Sequence, residues 1–258
     1  MKTNRVHKRG HALVSVVPLL LLLGTVANAD SFSATIASFA DDAKVYEASL
    51  ETTAGDAMLG HTTEYSCGVL ARFVPVSIPR HATIDSAFVS LKASGSQSEV
   101  TCNAVVCAED TGNASTFSTY SDLTARSVTD EVVYWDNLPA MMIFNWYRTP
   151  DLSSVIQQVI DRSDWHSGNA LALLIQDNNS NVGAYRRFWQ YDYLPQNACS
   201  LIVYYTAQPE SGPGSGGRRR ILVGKLDYTG PNGQVEGPLE LPRGFFGLCL
   251  FARRGGNQ

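Results

Sequence analysis

Short runs rich in valine, isoleucine, phenylalanine, tyrosine and threonine recur from residue 34 to residue 206, each closed by glycine, proline, asparagine or serine. "ATIASF" and "AKVYEA" come first, then "CGVLARFVPV", "ATIDSAFVSLKAS" and "EVTCNAVVCAE". "VTDEVVYWD", "ALALLIQD", "AYRRFWQYDY" and "CSLIVYYT" complete the series. β-Branched and aromatic side chains suit a pleated, half-buried surface, and the turn residues between them set strand-length segments. Many such runs without long intervening helices predict an all-β sandwich or barrel.

One segment breaks the two-residue rhythm. In "TPDLSSVIQQVIDRSDW", Leu152, Val155, Ile156, Val159 and Ile160 recur at helical spacing. The stripe predicts one amphipathic helix over about 150–163, with Thr149 as N-cap, Pro150 as first helical residue and Asp151 in the first turn. Together with Trp165 it is expected to lid one end of the sandwich. "QPESGPGSGG" (208–217) has the composition of a linker, which bounds a β-sandwich domain over 30–207. Residues 218–258 differ in kind: "ILVGKLDY" and "GFFGLCLFA" are strand-like runs joined by a Gly/Pro-rich connection. Two strands alone are marginal in water, so this strand-forming tail must pack on the body, pack on another copy, or stay disordered.

The N-terminus carries Lys2, Arg5, Lys8 and Arg9, then the uncharged "ALVSVVPLLLLLGTV", then small residues ending at Ala29. That order predicts a secretory signal peptide over 1–29. The alternative, a membrane anchor, is disfavoured because the apolar run is shorter than the ~20 residues a spanning helix needs. The expected product is therefore secreted, extracellular or at the cell surface, with no membrane span after cleavage. Residues 30–210 hold nine basic against 21 acidic residues, a net of −12, whereas 211–258 hold seven against three, a net of +4. So acidic a body argues against nucleic acid as a partner, since phosphate contacts need a basic surface. The asymmetry instead allows acidic bodies to attract the basic tails of neighbouring copies. In an oxidising compartment, one or two disulfides are expected among Cys67, Cys102, Cys107 and Cys199. Cys102 and Cys107, five apart in a strand, should face opposite ways and not bond to each other.

In order along the chain, "ADDAKVYE" (40–47), "VLARFVPVSIPRHATIDSAFVSLKA" (69–93), "VVYWDNLP" (132–139), "PDLSSVIQQVIDRSDWHSGNALALLIQDN" and "AYRRFWQYDYLPQNACSLIVYYT" resemble the segments of secreted DNRLRE-type domains. These sit near the carbohydrate-binding-module β-sandwiches. The resemblance covers roughly residues 34–206. It implies a jelly-roll β-sandwich with a non-catalytic extracellular role, often within an adhesin, a surface protein or a polysaccharide-active protein. The acidic-aromatic end of the penultimate strand differs from the family's usual arginine-glutamate ending, and the tail has no counterpart there.

No nucleophile–base constellation or phosphate-cradling glycine loop stands out, and the mature chain has only His61, His81 and His166. An enzyme is not expected. Calcium is the cofactor to which the strand-end loops point. Asp41 and Asp42, Glu109 and Asp110, and Asp177 offer oxygen ligands, as a hard cation requires. The alternative is that they are solvated turn residues bonding their own backbone. If "AYRRFWQYDY" is a regular strand, Tyr185, Arg187, Trp189, Tyr191 and Tyr193 share one face, and Arg186, Phe188, Gln190 and Asp192 the other. The first face suits stacking on sugar rings, each aromatic offering a flat apolar body and a polar tip. The other reading places these aromatics in the core. Two functional expectations follow. One is an extracellular structural or adhesive subunit, self-assembling through its tail or binding other surface components. The other is a carbohydrate-binding module taking polysaccharide on the aromatic strand.

Overall fold

A computed structural model describes residues 29–208, Tyr228–Thr229 and Val235–Glu236. The chain divides into two units, Met1–Pro209 and Glu210–Gln258. The expected signal peptide and linker fall outside the described residues, Ala29 and Gln208 excepted. In the second unit, Tyr228–Thr229 pairs antiparallel with Val235–Glu236. This joins the end of "ILVGKLDY" to the Gly/Pro-rich connection, and "GFFGLCLFA" lies outside the described residues.

The first unit is an all-β jelly-roll sandwich. Its strands are β1 (Asp30–Thr35), β2 (Asp42–Tyr46), β3 (Ser49–Glu51), β4 (Asp56–His61), β5 (Ser66–Phe73), β6 (Thr83–Lys92), β7 (Ala104–Ala108), β8 (Val133–Trp135), β9 (Trp146–Arg148), β10 (Leu171–Asp177), β11 (Tyr185–Trp189) and β12 (Ser200–Thr206). The smaller sheet runs β1-β12-β6-β9. The larger runs β11-β4-β5-β10-β7-β8, with β2 on β5 and β3 on β2. All pairings are antiparallel.

Alternation decides which side chains meet between the sheets. Val69, Ala71 and Phe73 of β5 and Leu171, Leu173 and Ile175 of β10 pack with Ala87, Val89 and Leu91 of β6 and Leu201 and Val203 of β12. Each large aliphatic so buried contributes about 1.5–3 kcal/mol over an exposed one. A second cluster lies on the outer face of the larger sheet. There Ala43, Val45, Leu70, Ala172 and Leu174 are covered by Ala114, Phe117 and Leu123. The cover is the excursion between β7 and β8, which includes a short helix, α1 (Tyr120–Ala125), capped by Thr119 Oγ1 accepting from Asp122 N at 3.1 Å. No apolar periodicity announces α1. Six residues are too few for one, and the segment buries its few apolar side chains singly.

The amphipathic stripe folds as α2 (Ser153–Ile160), with Val155, Ile156, Val159 and Ile160 buried against the core. Trp165 is fully buried, its Nε1 donating to the Ile78 carbonyl at 3.0 Å. The helix start differs from expectation: Leu152 occupies the N-cap and offers no side-chain cap. Thr149 and Asp151 are used across the fold instead. Thr149 Oγ1 accepts from Val89 N at 3.1 Å, and Asp151 Oδ1 accepts from Ala87 N at 2.8 Å and Ser153 N at 3.0 Å. Buried N–H groups of β6 that lack a strand partner there must be satisfied, and that demand outranks a solvent-side cap.

The disulfide expectation is corrected. Cys67, Cys102, Cys107 and Cys199 are all free and buried. Cys67 and Cys107 lie on β5 and β7, which flank β10. Two strand spacings put such residues about 10 Å apart, beyond the reach of a disulfide. Cys102 lies in the inter-sheet core and Cys107 in the outer cluster, the opposite directions their spacing implies. Burial pushes the thiols of Cys67 and Cys107 up to about 11, which keeps them protonated and unreactive.

Candidate functional site

Three features of the surface could carry function: the aromatic strand, the acidic loops, and an apolar ridge between β8 and β9. The aromatic strand β11 keeps its alternation only from Tyr185 to Trp189. Arg186 and Phe188 point inward, opposite Leu59 and Ala57 of β4, while Tyr185, Arg187 and Trp189 stay half-buried on the outer face. The expected five-residue face is therefore broken. Beyond Trp189 the chain turns, Tyr191 packs against the main core, and Tyr193 folds back onto Trp189 with ring centroids 4.0 Å apart. The stacked pair uses one ring face of each aromatic. Arg187 pairs with Asp56, which also accepts from Ser94 Oγ at 3.2 Å. Arg187 Nε and Trp189 Nε1, two residues apart on the same face, are buried donors without a protein acceptor.

Arg186 is buried without a carboxylate partner. A buried guanidinium ordinarily needs one; this one, 1% exposed, donates to four backbone carbonyls instead. Nε reaches Pro139 O at 2.8 Å, Nη1 reaches Tyr185 O at 2.9 Å, and Nη2 reaches Glu99 O at 2.9 Å and Leu138 O at 2.8 Å. Carbonyl dipoles gathered from three separate segments take the place of a counter-ion. The chain paths at 99 and 138–139 are thereby fixed to β11.

The five acidic candidates for calcium are distributed among separate partners. Asp41 pairs with Arg72. Glu109 accepts from Arg126 Nη1 at 2.8 Å, and Asp110 from Arg162 Nη1 at 2.7 Å. Asp177 accepts from Ser66 Oγ at 2.8 Å and Ser180 N at 3.1 Å. Asp42 lies between the sheets and accepts from Tyr191 N at 2.8 Å. Burial, with Asp192 and Asp41 nearby, pushes its carboxyl up to about 7 in spite of that bond. Among the described residues no three His, Cys, Asp or Glu side chains converge as a metal cage would require. Alternation separates Asp41 from Asp42, and arginines of the body occupy Asp41, Glu109 and Asp110.

The ridge was not visible in the sequence reading. Met142, Ile143, Phe144 and Trp146 are exposed in succession, at 66%, 40%, 59% and 47%. The segment is nonetheless tightly tied. Met141 exchanges backbone bonds with Gln97, Phe144 N donates to Ala93 O at 2.8 Å, and Ala93 N donates to Asn145 O at 2.9 Å. Met142 N donates to Tyr147 Oη at 2.8 Å and Ile143 N to Ser96 Oγ at 3.1 Å. Phe144 sits at φ 71°, in the left-handed region. That conformation costs a bulky side chain on the order of 1–2 kcal/mol and persists only where surrounding bonds over-determine it. The sequence signal was available: "MMIF" is an apolar run with no charge, next to a strand too short to bury it. β9, which follows, pairs with β6 alone among the described residues, so its other edge is open.

Among the described residues no helix is long and apolar enough to cross a membrane. No protein-family model matches the chain, and no curated protein matches it. Solved structures similar to it include desmodium yellow mottle tymovirus, at 10% identity and a TM-score of 0.21, covering 76% of this chain and 100% of that one. Empty-head turnip yellow mosaic virus has 10% identity, a TM-score of 0.22 and coverage of 80% and 95%. Mud crab tombus-like virus has 8% identity, a TM-score of 0.22 and coverage of 81% and 94%. At these values the jelly-roll assignment rests on the strand pairing of the chain itself. The resemblance to DNRLRE-type and carbohydrate-binding modules, which no family model supports, holds at the level of the β-sandwich.

Proposed function

We propose that the protein is a secreted, non-catalytic structural or adhesive subunit that works outside the cell through contacts with other copies of itself or with surface components. The observation that carries this reading is the apolar ridge Met142–Trp146, exposed and yet, with Met141, pinned by six hydrogen bonds to its neighbours. A contiguous apolar surface held rigid marks an interaction site, because a loop free to bury those side chains would do so. Preorganisation also lowers the ordering cost when a partner arrives. The test is the mass of the full chain, expressed with its own leader and recovered from the medium, measured by light scattering from low to high micromolar concentration. The expected result is a rise above the monomer mass with concentration. A monomer throughout, with no retention on surface components, would sink the proposal.

A second reading is favoured by a different observation. The half-buried Trp189 and the exposed Tyr193 stack on one another at the surface. Polysaccharide supplies apolar ring faces that stack on such aromatics. On this reading Trp189→Ala abolishes retardation in polysaccharide-containing gels and leaves the assembly mass unchanged. Equal retardation of both proteins counts against it.

A further inference from the structure

We infer that the ridge formed by Met142, Ile143, Phe144 and Trp146 is the receptor for residues 244–252, "GFFGLCLFA", of a second copy. This rests on the assembly reading above and names its two complementary surfaces. The first argument is shape and bonding. β9 offers an open strand edge directly after the ridge. The nine-residue segment has strand composition and lacks charge and proline. An extended segment laid along β9 satisfies that edge with backbone bonds while its side chains meet the ridge.

Charge gives the second argument. The segment is bracketed by Arg243 on one side and Arg253 and Arg254 on the other. Exposed acids lie on the chain next to the ridge: Glu99, two residues past the Gln97–Met141 bridge, and Asp136. Arg126 is already engaged by Glu109 and Asp122, whereas Arg148, exposed on β9, and Lys92 opposite Trp146 make the β9 end basic. An apolar centre, acidic towards Glu99 and basic at its β9 end, thus faces an apolar centre with one arginine before it and two after it. Lys92 lies over the Trp146 ring at 5.5 Å, so like-charge repulsion at that end turns Arg253 and Arg254 towards Glu99 and Asp136. Because ridge and segment are different surfaces of one chain, the contact is heterologous and propagates head to tail.

Two variants of the full chain, used alone and mixed, test this. One carries Phe144→Ser with Trp146→Ser; the other carries Phe246→Ser with Leu248→Ser. The substituted ridge residues are exposed, so each variant should keep the wild-type melting curve, which is measured first. Each alone is expected to raise the concentration for half-assembly roughly tenfold or more, as loss of interface anchors does. Mixed in equal amounts they are expected to form a dimer and stop there, since one intact ridge then meets one intact segment. Absence of that dimer overturns the inference. If the ridge variant loses assembly and the segment variant retains it, copies meet ridge to ridge; the assembly proposal then survives and this inference fails. A wild-type chain that is monomeric throughout removes both.

Discussion

The two faces of the larger sheet handle buried charge in opposite ways. On the inner face, Arg186 and Asp42 are held by backbone: the guanidinium by four carbonyls, the carboxyl by the Tyr191 N–H. On the outer face charge is matched with charge, Arg72 with Asp41 and Arg126 with Glu109 and Asp122. The inner groups cannot reach water, so everything they need must come from fixed dipoles. They therefore dictate where loops run. The outer groups clamp a removable roof, the excursion carrying α1, over an apolar patch that the sheet already supports. The difference teaches that a charge in this fold orders the chain when it is paired with backbone, and fastens a layer when it is paired with another charge.

Replacing Arg186 with alanine should produce the largest effect. It orphans four carbonyls at once, and each buried acceptor left unsatisfied costs about 1–3 kcal/mol. Denaturant melts should show that loss, with proteolysis first exposed near 99 and 138–139. A loss below about 1 kcal/mol would mean that water replaces the guanidinium and that backbone pairing has no special weight.

Arg126→Ala should cost less, about 1–3 kcal/mol, since it frees Glu109, Asp122 and the Ser115 and Thr116 carbonyls at the edge of the roof, where water can enter. Hydrogen exchange should rise across 109–131 and leave β5 and β10 unchanged. Exchange spreading into those strands would show that the roof is part of the core.

A change of opposite sign, growing as pH rises from about 4 to 7, is expected from Asp42→Asn. Because its folded carboxyl is raised to about 7 from an ordinary 3.8, the proton it keeps stabilises the fold fully below about pH 4. That contribution is lost as pH rises to about 7. The asparagine variant still accepts from Tyr191 N and should lack this decline, so its melting temperature should gain on the wild type between pH 4 and 8. Parallel curves for the two proteins would contradict burial as the cause.

The strand series and the α2 stripe were legible because alternation and helical spacing are local properties of side-chain order. The outward placing of Tyr185, Arg187 and Trp189 was legible for the same reason, as was the opposition of Cys102 and Cys107. The end of that face at Trp189 was not: the turn that carries Tyr193 back depends on Asp42, 149 residues away, accepting from Tyr191 N. Nor could Thr149 be read as a β6 acceptor, since that requires knowing which strand lies beside it.

By itself, then, the sequence determined an all-β body with one amphipathic helix, a strongly acidic domain and a basic tail. Composition and periodicity need no partner to be read. Only the tertiary structure decided how the acids are shared out, why Arg186 needs no carboxylate, which thiols are out of reach of one another, and that Met142–Trp146 stands exposed. Each depends on groups far apart in the chain meeting at hydrogen-bond or van der Waals distance. Strand pairing sets those meetings, and no local pattern encodes them.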